Sequence, residues 1–194
     1  MTGPATPLAL ALSGVEVRAG DRVLLRAEAL DVPPGRLVGL RGPSGAGKST
    51  LLHVLSGLIR PDAGAVRWGG ADIAALPEAA RDAFRGAYMG LVFQDFLLFE
   101  ELSALYNAAI AAAWAPPRAR PAIRARADAI LRGLGLNAPN TPVSHLSGGE
   151  RQRVAAARAL AQTEQTLPTD DACPGLVIGG GVLDAPRAPD PCRR

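Results

Sequence analysis

The sequence predicts an α/β protein with an antiparallel β subdomain at its N-terminal side and a helical insert. Three observations support this fold class. Two extended apolar stretches, 8–17 and 23–32, open the chain. A glycine-rich turn then joins the apolar segment 36–40 to a helical pattern that starts at Lys48. From Ser103 onward, apolar residues recur at helical spacing, and this mixture of strand and helix periods indicates an α/β fold.

Composition supports a folded domain and excludes several functions. The chain has 194 residues, of which 48% are hydrophobic, which fits one domain with a subdomain. No apolar run approaches the roughly 18 residues of a membrane span, and the N-terminus does not resemble a signal peptide, so we expect a cytoplasmic chain. A net charge of +3 without a basic or aromatic stripe argues against nucleic acid as a partner. Cys173 and Cys192 lie near the C-terminal end, which argues against a disulfide framework or a zinc site.

The most specific feature is a glycine-rich loop that contains the single lysine among 21 basic residues. Lysine is a compact point charge on a slim stem, so it can pass under a loop to reach phosphates where arginine cannot. Glycines allow successive backbone N–H groups to turn inward around phosphate oxygens. The segment 36–40 is predicted as a short buried strand before the loop, and the helix after it aims its N-terminus at the anion.

This strand, glycine turn and helix predict a phosphate-binding P-loop, in which Ser49 is a ligand of Mg²⁺. The predicted phosphate-binding residues are Gly42, Pro43, Ser44, Gly45, Ala46, Gly47, Lys48, Ser49 and Thr50.

Between the P-loop and the next motif the sequence predicts further elements. In chain order these are a strand through Trp68, a helix over 79–85, a buried strand over 89–93 followed by Gln94, a helix capped by Ser103 that runs to about Trp114, and an amphipathic helix over 123–134.

The second strong motif is Leu146-Ser147-Gly148-Gly149-Glu150-Arg151-Gln152-Arg153. Ser147 and Glu150 have the spacing of a capping box, so a helix should start here and run to about Leu160. Gly148 and Gly149 leave backbone N–H groups uncovered at the positive end of the helix dipole. The motif therefore predicts a second anion site.

Together the P-loop at 42–49, Gln94 within Leu91-Val92-Phe93-Gln94-Asp95, and the 146–152 motif resemble the ATP-binding subunit of an ABC transporter, a P-loop NTPase. The resemblance covers about residues 8–161. The stretches 51–58 and 93–108 are most similar to the exporter branch that serves lipoprotein release, macrolide or peptide efflux and cell division.

The resemblance implies an ABC-type ATPase that uses ATP and Mg²⁺ and converts ATP and water to ADP and phosphate. It implies that Gln94 touches Mg²⁺ and the attacking water. Ser147, Gly148 and Gly149 would contact the γ-phosphate bound by the opposite protomer of a homodimer or heterodimer.

The family also implies a membrane partner and a domain division. Residues 1–161 would be the nucleotide-binding domain, with a helical subdomain at about 96–145 and a signature helix at about 147–161. The segment 94–105, made apolar by its Phe and Leu residues, resembles the surface that docks a coupling helix of an integral membrane permease. The chain would then lie peripherally on the inner face of the cell membrane and power export through that permease.

The sequence departs from the family after Ala161. The family continues into an apolar strand ending Asp-Glu, in which Asp holds Mg²⁺ and Glu polarises the attacking water. In register, these positions are Asp170 and Asp171, which become the candidate metal and catalytic residues. The preceding residues 166–169 are half polar and include a proline, so they make a poor central strand. A second candidate strand, 176–178, leads through three glycines to Asp184.

The remaining tail, 162–194, resembles sequence read out of frame or a truncated end, and we expect it to be disordered. No histidine follows the signature, and the strands that would flank the P-loop strand are predicted to be missing, exposing apolar edges. The alternative reading is therefore a truncated, non-hydrolysing nucleotide-binding remnant. A P-loop kinase or a soluble ABC protein would share only the P-loop. The residue that usually stacks on adenine falls near Arg18-Ala19, where neither side chain is aromatic.

Overall fold

A computed structural model describes residues 8–162 and the backbone of residues 176–179. Its strands are β1 (Leu10–Ala19), β2 (Arg22–Val32), β3 (Ala63–Trp68), β4 (Ala71–Asp72), β5 (Met89–Val92) and β6 (Leu176–Gly179). Its α-helices are α1 (Lys48–Leu55), α2 (Glu78–Tyr88), α3 (Ala104–Ala108), α4 (Arg120–Gly133) and α5 (Gly148–Gln162). Short 3-10 turns lie at Ile110–Ala113 and Val143–His145.

The N-terminal strands form the predicted antiparallel subdomain, with strand order β2-β1-β3-β4. Along β1 the buried apolar residues alternate as Leu10 and Leu12, and again as Val15 and Val17, because alternate residues of a strand face the same side. The alternation shifts by one residue at Gly14 (φ 57°), where the pairing with β3 is irregular between Ser13 and Glu16. The buried side chains of β1 join apolar residues of α1 and β3 in a first hydrophobic core.

Helix α1 is fastened to this subdomain at its C-terminal end. The indole Nε1 of Trp68 donates a hydrogen bond to the carbonyl oxygen of Leu55 at 2.9 Å. The guanidinium of Arg85 donates to the carbonyl oxygen of Gly57 at 2.7 Å. The first bond satisfies one of the carbonyl groups that the end of a helix leaves without partners, and the second holds the turn that follows α1. The opposite end of α1, which carries the P-loop, is thereby held in a fixed position.

Helices α3, α4 and α5 build a second core, separate from the first. As predicted, the Oγ atom of Ser103 caps α3, accepting from the N–H of Tyr106 at 3.3 Å. The helix expected to reach Trp114 ends as an α-helix at Ala108 and continues as the 3-10 turn.

The buried side chain of Asn107 on α3 fixes the segment that enters this helix. Its Oδ1 accepts from the N–H of Phe99 at 2.8 Å, and its Nδ2 donates to the carbonyl oxygens of Phe99 and Ser103 at 2.9 and 3.1 Å. Because these backbone groups are satisfied by a buried amide, the segment 99–103 keeps one conformation beside α3.

Strand β5 connects the two cores. It pairs in parallel with β6, with Met89 opposite Leu176 and Val92 opposite Gly179. On its face it meets α5 so closely that a Cβ atom added at Gly90 would lie 2.6 Å from the carbonyl oxygen of Ala159. Small residues on both elements therefore permit backbone contact between strand and helix.

The segment 36–40 differs from the prediction of a buried strand. It has no strand conformation, Leu37 is fully exposed, and Val38 and Leu40 are also exposed. Its apolar pattern suits a buried strand, but within the described residues no strand lies beside it to pair with its N–H and C=O groups. Leu37, Val38 and Leu40 therefore leave apolar surface exposed just before the P-loop.

The four residues 176–179 form β6, as expected of the second candidate strand at 176–178, although the tail as a whole was expected to be disordered. Their sequence, Leu-Val-Ile-Gly, contains two β-branched residues that favour a strand beside the apolar β5. Apart from Gln162, which ends α5, and residues 176–179, the segment 162–194 lies outside the described residues, and this includes Asp170, Asp171 and Asp184.

Among the residues that the structure describes, every helix is too short or too polar to cross a membrane.

The close contact between β5 and α5 predicts that a glycine-to-alanine substitution at this contact destabilises the protein. Gly90→Ala should lower the free energy of unfolding by about 1 to 3 kcal/mol, because the added methyl collides with rigid backbone. Gly86→Ala is the matched control: it lies exposed on α2 with open space around it, so it should raise stability by about 0.5 to 1 kcal/mol. Urea denaturation of both variants measures the difference. Equal effects would show that β5 does not touch α5.

Candidate functional site

The P-loop turns around two glycines in the left-handed region. Gly45 and Gly47 have φ values of 79° and 81°, which residues with a side chain rarely adopt. A Cβ atom at Gly47 would also lie 3.1 Å from the carbonyl oxygen of Leu24, so the loop packs against β2. Both glycines are required by the shape of the loop itself.

Lys48 holds its ammonium group against this loop. Its Nζ donates to the carbonyl oxygens of Gly42 at 2.9 Å and Pro43 at 2.7 Å. No side chain caps the start of α1, so the N–H groups of its first turn keep their capacity to bind an anion. A positive charge, a helix N-terminus and an open glycine turn thus converge at one place, as the sequence predicts.

Two residues predicted to act on Mg²⁺ lie together. Ser49 at the start of α1 and Gln94 after β5 line the same cavity, of about 100 Å³, whose floor includes Leu52 and Leu91. A hydroxyl and an amide carbonyl are the hard oxygen donors that Mg²⁺ accepts when phosphate oxygens and water complete its shell. Within the described part of the chain, no cluster of three acidic, His or Cys residues offers an alternative metal site. The donor set fits Mg²⁺ bound together with a polyphosphate.

The signature motif forms the predicted capping box. The Oε2 of Glu150 accepts from the N–H and the Oγ of Ser147 at 2.9 and 2.7 Å, and the Ser147 Oγ lies 3.4 Å from the N–H of Glu150. These hydrogen bonds from Ser147 lower the pKa of the Glu150 carboxyl. Ser147, Gly148 and Gly149 are all exposed, so the N-terminus of α5 faces outward.

The segment after Gln94 contains a feature that the sequence analysis missed. Phe96 and Leu97 have φ values of 58° and 47°, a left-handed conformation that costs non-glycine residues about 1 to 3 kcal/mol each. The guanidinium of Arg158 on α5 donates to the carbonyl oxygens of both residues at 2.6 Å. Arg158 is 8% exposed, and this burial lowers its pKa. The available signal was an arginine placed among the buried small residues of α5.

In the predicted docking segment, some apolar side chains pack inward and others are exposed on the surface. Phe96 and Leu98 are half-buried and pack against the cores around α5. Leu97 and Phe99 point outward, with 57% and 53% of their surface exposed. The segment therefore has an inner side that fixes it to α5 and an outer apolar side.

A second arginine also ties this segment to α5. Arg151 contacts the carboxylate of Glu100 at 3.2 Å and donates to the carbonyl oxygen of Leu146 at 3.3 Å. The start of the signature helix and the docking segment are therefore neighbours.

At the position where an adenine-stacking aromatic was sought, Arg18 is engaged by other groups. Its guanidinium contacts the Glu16 carboxylate at 2.6 Å, and Arg26 contacts the same carboxylate at 2.6 Å. Arg26 and then Arg18 lower the pKa of Glu16. The structure provides no aromatic ring at this place, because the residues there are Arg18 and Ala19.

The candidate carboxylates Asp170 and Asp171 lie outside the described residues, so their predicted roles are not tested by the geometry.

A lysine-bearing glycine loop on a helix N-terminus, beside a parallel pair of strands and a signature-type helix, defines a P-loop nucleotide-binding protein. The family model described as ABC transporter matches residues 25–174. The chain belongs to the ABC transporter family of ATP-binding proteins.

Curated relatives identify the branch. The chain is 47% identical over 167 residues to the lipoprotein-releasing system ATP-binding protein LolD 2 of Caulobacter vibrioides, covering 84% of this chain and 73% of that protein. It is 46% identical over 156 residues to LolD of Maricaulis maris, covering 79% and 67%. The predicted resemblance to the lipoprotein-release branch is confirmed.

Solved structures confirm the fold class. The dimeric structure of MJ0796, described as a bacterial ABC transporter cassette, matches with a TM-score of 0.69 and 32% identity, covering 79% of this chain and 69% of that chain. A post-hydrolysis state of MJ0796 bound to ADP and Pi matches equally well.

Removal of the lysine charge tests the site directly. Lys48→Met should weaken Mg·ATP binding by about tenfold or more, because a charge-assisted contact to phosphate is lost. Arg118→Met, which removes an exposed cation just before α4, is the control and should leave affinity unchanged. Calorimetric titration compares the variants, and equal affinities for both would exclude the P-loop as the binding site.

Proposed function

We propose that the chain is the ATP-binding subunit of a lipoprotein-release type transporter. It binds Mg·ATP, forms a dimer with a second ATP-binding chain and acts on a membrane subunit. The observation that carries this proposal is the convergence of the Lys48 loop with a cavity shared by Ser49 and Gln94. Ser49 links the two features, because it directly follows Lys48 in the loop and also lines the cavity that Gln94 lines.

On ATP binding, Lys48 exchanges the carbonyl oxygens of Gly42 and Pro43 for phosphate oxygens. The N–H groups of residues 45–50 surround the phosphates, and Ser49 is the P-loop residue that would hold Mg²⁺. Gln94 lines the same cavity and would hold Mg²⁺ and the attacking water together with Ser49. Since no aromatic residue stands near Arg18, the phosphates supply most of the binding energy.

Dimerisation follows from the second anion site. Ser147, Gly148 and Gly149 are exposed at the N-terminus of α5, which packs in a different core from α1. We infer that they contact the γ-phosphate bound by a second chain, identical or homologous. The dimeric arrangement of MJ0796, which is similar to this chain, supports this inference.

The exposed side chains of Leu97 and Phe99 suit a short amphipathic helix of a membrane subunit. The relatives named as parts of a lipoprotein-releasing system support this partner. Bound in this way, the chain lies peripherally on the inner face of the membrane, and closure of the dimer on ATP moves the membrane subunits.

Hydrolysis requires a carboxylate beside Gln94. Asp170 and Asp171 fit the register from the signature and are proposed as metal and catalytic residues. The pairing of β6 with β5 favours Asp184 as a second candidate, because parallel strands end at the same edge and β6 runs toward Asp184 along the chain. The unpaired segment 36–40 favours the alternative of a remnant that binds ATP without hydrolysis.

Substitution at the signature separates binding from dimerisation. Ser147→Arg should leave Mg·ATP affinity of the monomer unchanged and abolish ATP-dependent dimers, because added bulk and charge obstruct the γ-phosphate. Ser144→Arg, at an exposed position in the preceding 3-10 turn, is the control. Light scattering with and without Mg·ATP measures the dimers, and their persistence in Ser147→Arg would rule out a sensor at α5.

ATP turnover tests the carboxylate candidates. The purified chain should bind ATP and hydrolyse little of it, since a positioned general base is worth about 10² to 10⁴ in rate. Replacing residues 162–194 by an apolar strand ending Asp-Glu and the family's following histidine segment should restore phosphate release. If the unaltered chain hydrolyses ATP at the rate of this repaired protein, Asp171→Asn and Asp184→Asn identify the working carboxylate.

A further inference from the structure

The strongest unexplained feature of the molecule is the buried Arg158. Its side chain does not line the cavity shared by Ser49 and Gln94, and no acidic residue accepts from it in the described structure. Instead its two terminal nitrogens donate hydrogen bonds to the carbonyl oxygens of Phe96 and Leu97, each at 2.6 Å. A buried guanidinium needs such partners to offset its loss of hydration.

These two carbonyls belong to the residues whose backbone is left-handed. Without an external donor, non-glycine residues leave this conformation readily, because the extended and right-handed regions are more favourable. A planar guanidinium has a fork that contacts two adjacent carbonyls at once, which a lysine ammonium cannot do with the same geometry. Arg158 therefore selects one backbone conformation for the residues that directly follow Gln94 and Asp95.

The position of Arg158 along the chain determines which structural elements this contact connects. It lies on α5, the helix that begins at Gly148 directly after Ser147, whereas Phe96 follows β5, the strand that ends before Gln94. The outer face of the clamped segment carries Leu97 and Phe99, both exposed. One side chain thus joins the signature helix, the Gln94 loop and the apolar outer surface.

We propose that Arg158 is a positioning residue: by holding the carbonyl oxygens of Phe96 and Leu97, it couples the placement of Gln94 to the position of α5. The proposal rests on the proposed function, because the coupling matters only if this chain binds Mg·ATP.

Hydrogen exchange without nucleotide tests the clamp itself. In Arg158→Met, which keeps the length of the side chain and removes its donors, amide exchange across residues 95–99 should rise about tenfold or more relative to wild type. Arg158→Lys, which keeps the charge, should show an exchange rate between those of wild type and Arg158→Met. If the Met variant fails to fold, the Lys variant alone tests the clamp. Arg132→Met removes an exposed arginine that pairs with Asp128 on α4, and it should match wild type. Wild-type exchange in both Arg158 variants would overturn the proposal.

A double-mutant cycle distinguishes positioning from general support of the fold. Arg158→Met should weaken Mg·ATP binding about tenfold when Gln94 is present and have no further effect in a Gln94→Ala background. ATP binding in the presence of EDTA should not change, since Gln94 acts through the metal. An equal loss in both backgrounds would show that Arg158 is merely structural. If wild type itself does not bind Mg·ATP, the proposed function fails, while the exchange experiment still decides whether Arg158 holds the loop.

Discussion

The close packing of β5 on α5 is the constraint on which the rest of the molecule depends. Gly90 allows the strand to approach the helix backbone, and Ala155 and Ala159 are the small helix residues that face Val92. Through this contact α5 is held against β5, while other residues of the same helix pack with α3 and α4 in the second core. The Gln94 loop leaves β5 at this junction, and so its position is determined by how closely helix and strand approach.

The antiparallel subdomain serves a related purpose for the P-loop. Trp68 on β3 holds the C-terminal end of α1, and β2 supports Gly47 at the other end. Arg85 on α2 adds a bond to the turn after α1. A phosphate site built from backbone N–H groups needs this support, because small displacements of a loop misdirect every donor at once. The protein therefore uses its first core to fix the phosphate site and its second core to fix the signature.

Local sequence patterns predicted much of this arrangement. The P-loop depends on glycines, one lysine and a following helix, and the capping box depends on Ser147 and Glu150, so each motif lies within a few adjacent residues. The segment 36–40 was predicted as a strand and is not one, because pairing depends on residues far along the chain. Arg158 was missed for the same reason: its partners lie 61 and 62 residues away. The roles of Asp170 and Asp171 stay predictions.

The contacts of Lys48 have a consequence for the thermodynamics of binding. A free lysine side chain carries about 2 kcal/mol of rotamer entropy, which a ligand must overcome when it immobilises the ammonium. Here the ammonium is already held by the carbonyl oxygens of Gly42 and Pro43 before any phosphate arrives. Phosphate then replaces two neutral acceptors with a charged one while the side chain stays ordered. The lysine contribution to nucleotide affinity should therefore be mainly enthalpic, with little loss of side-chain entropy.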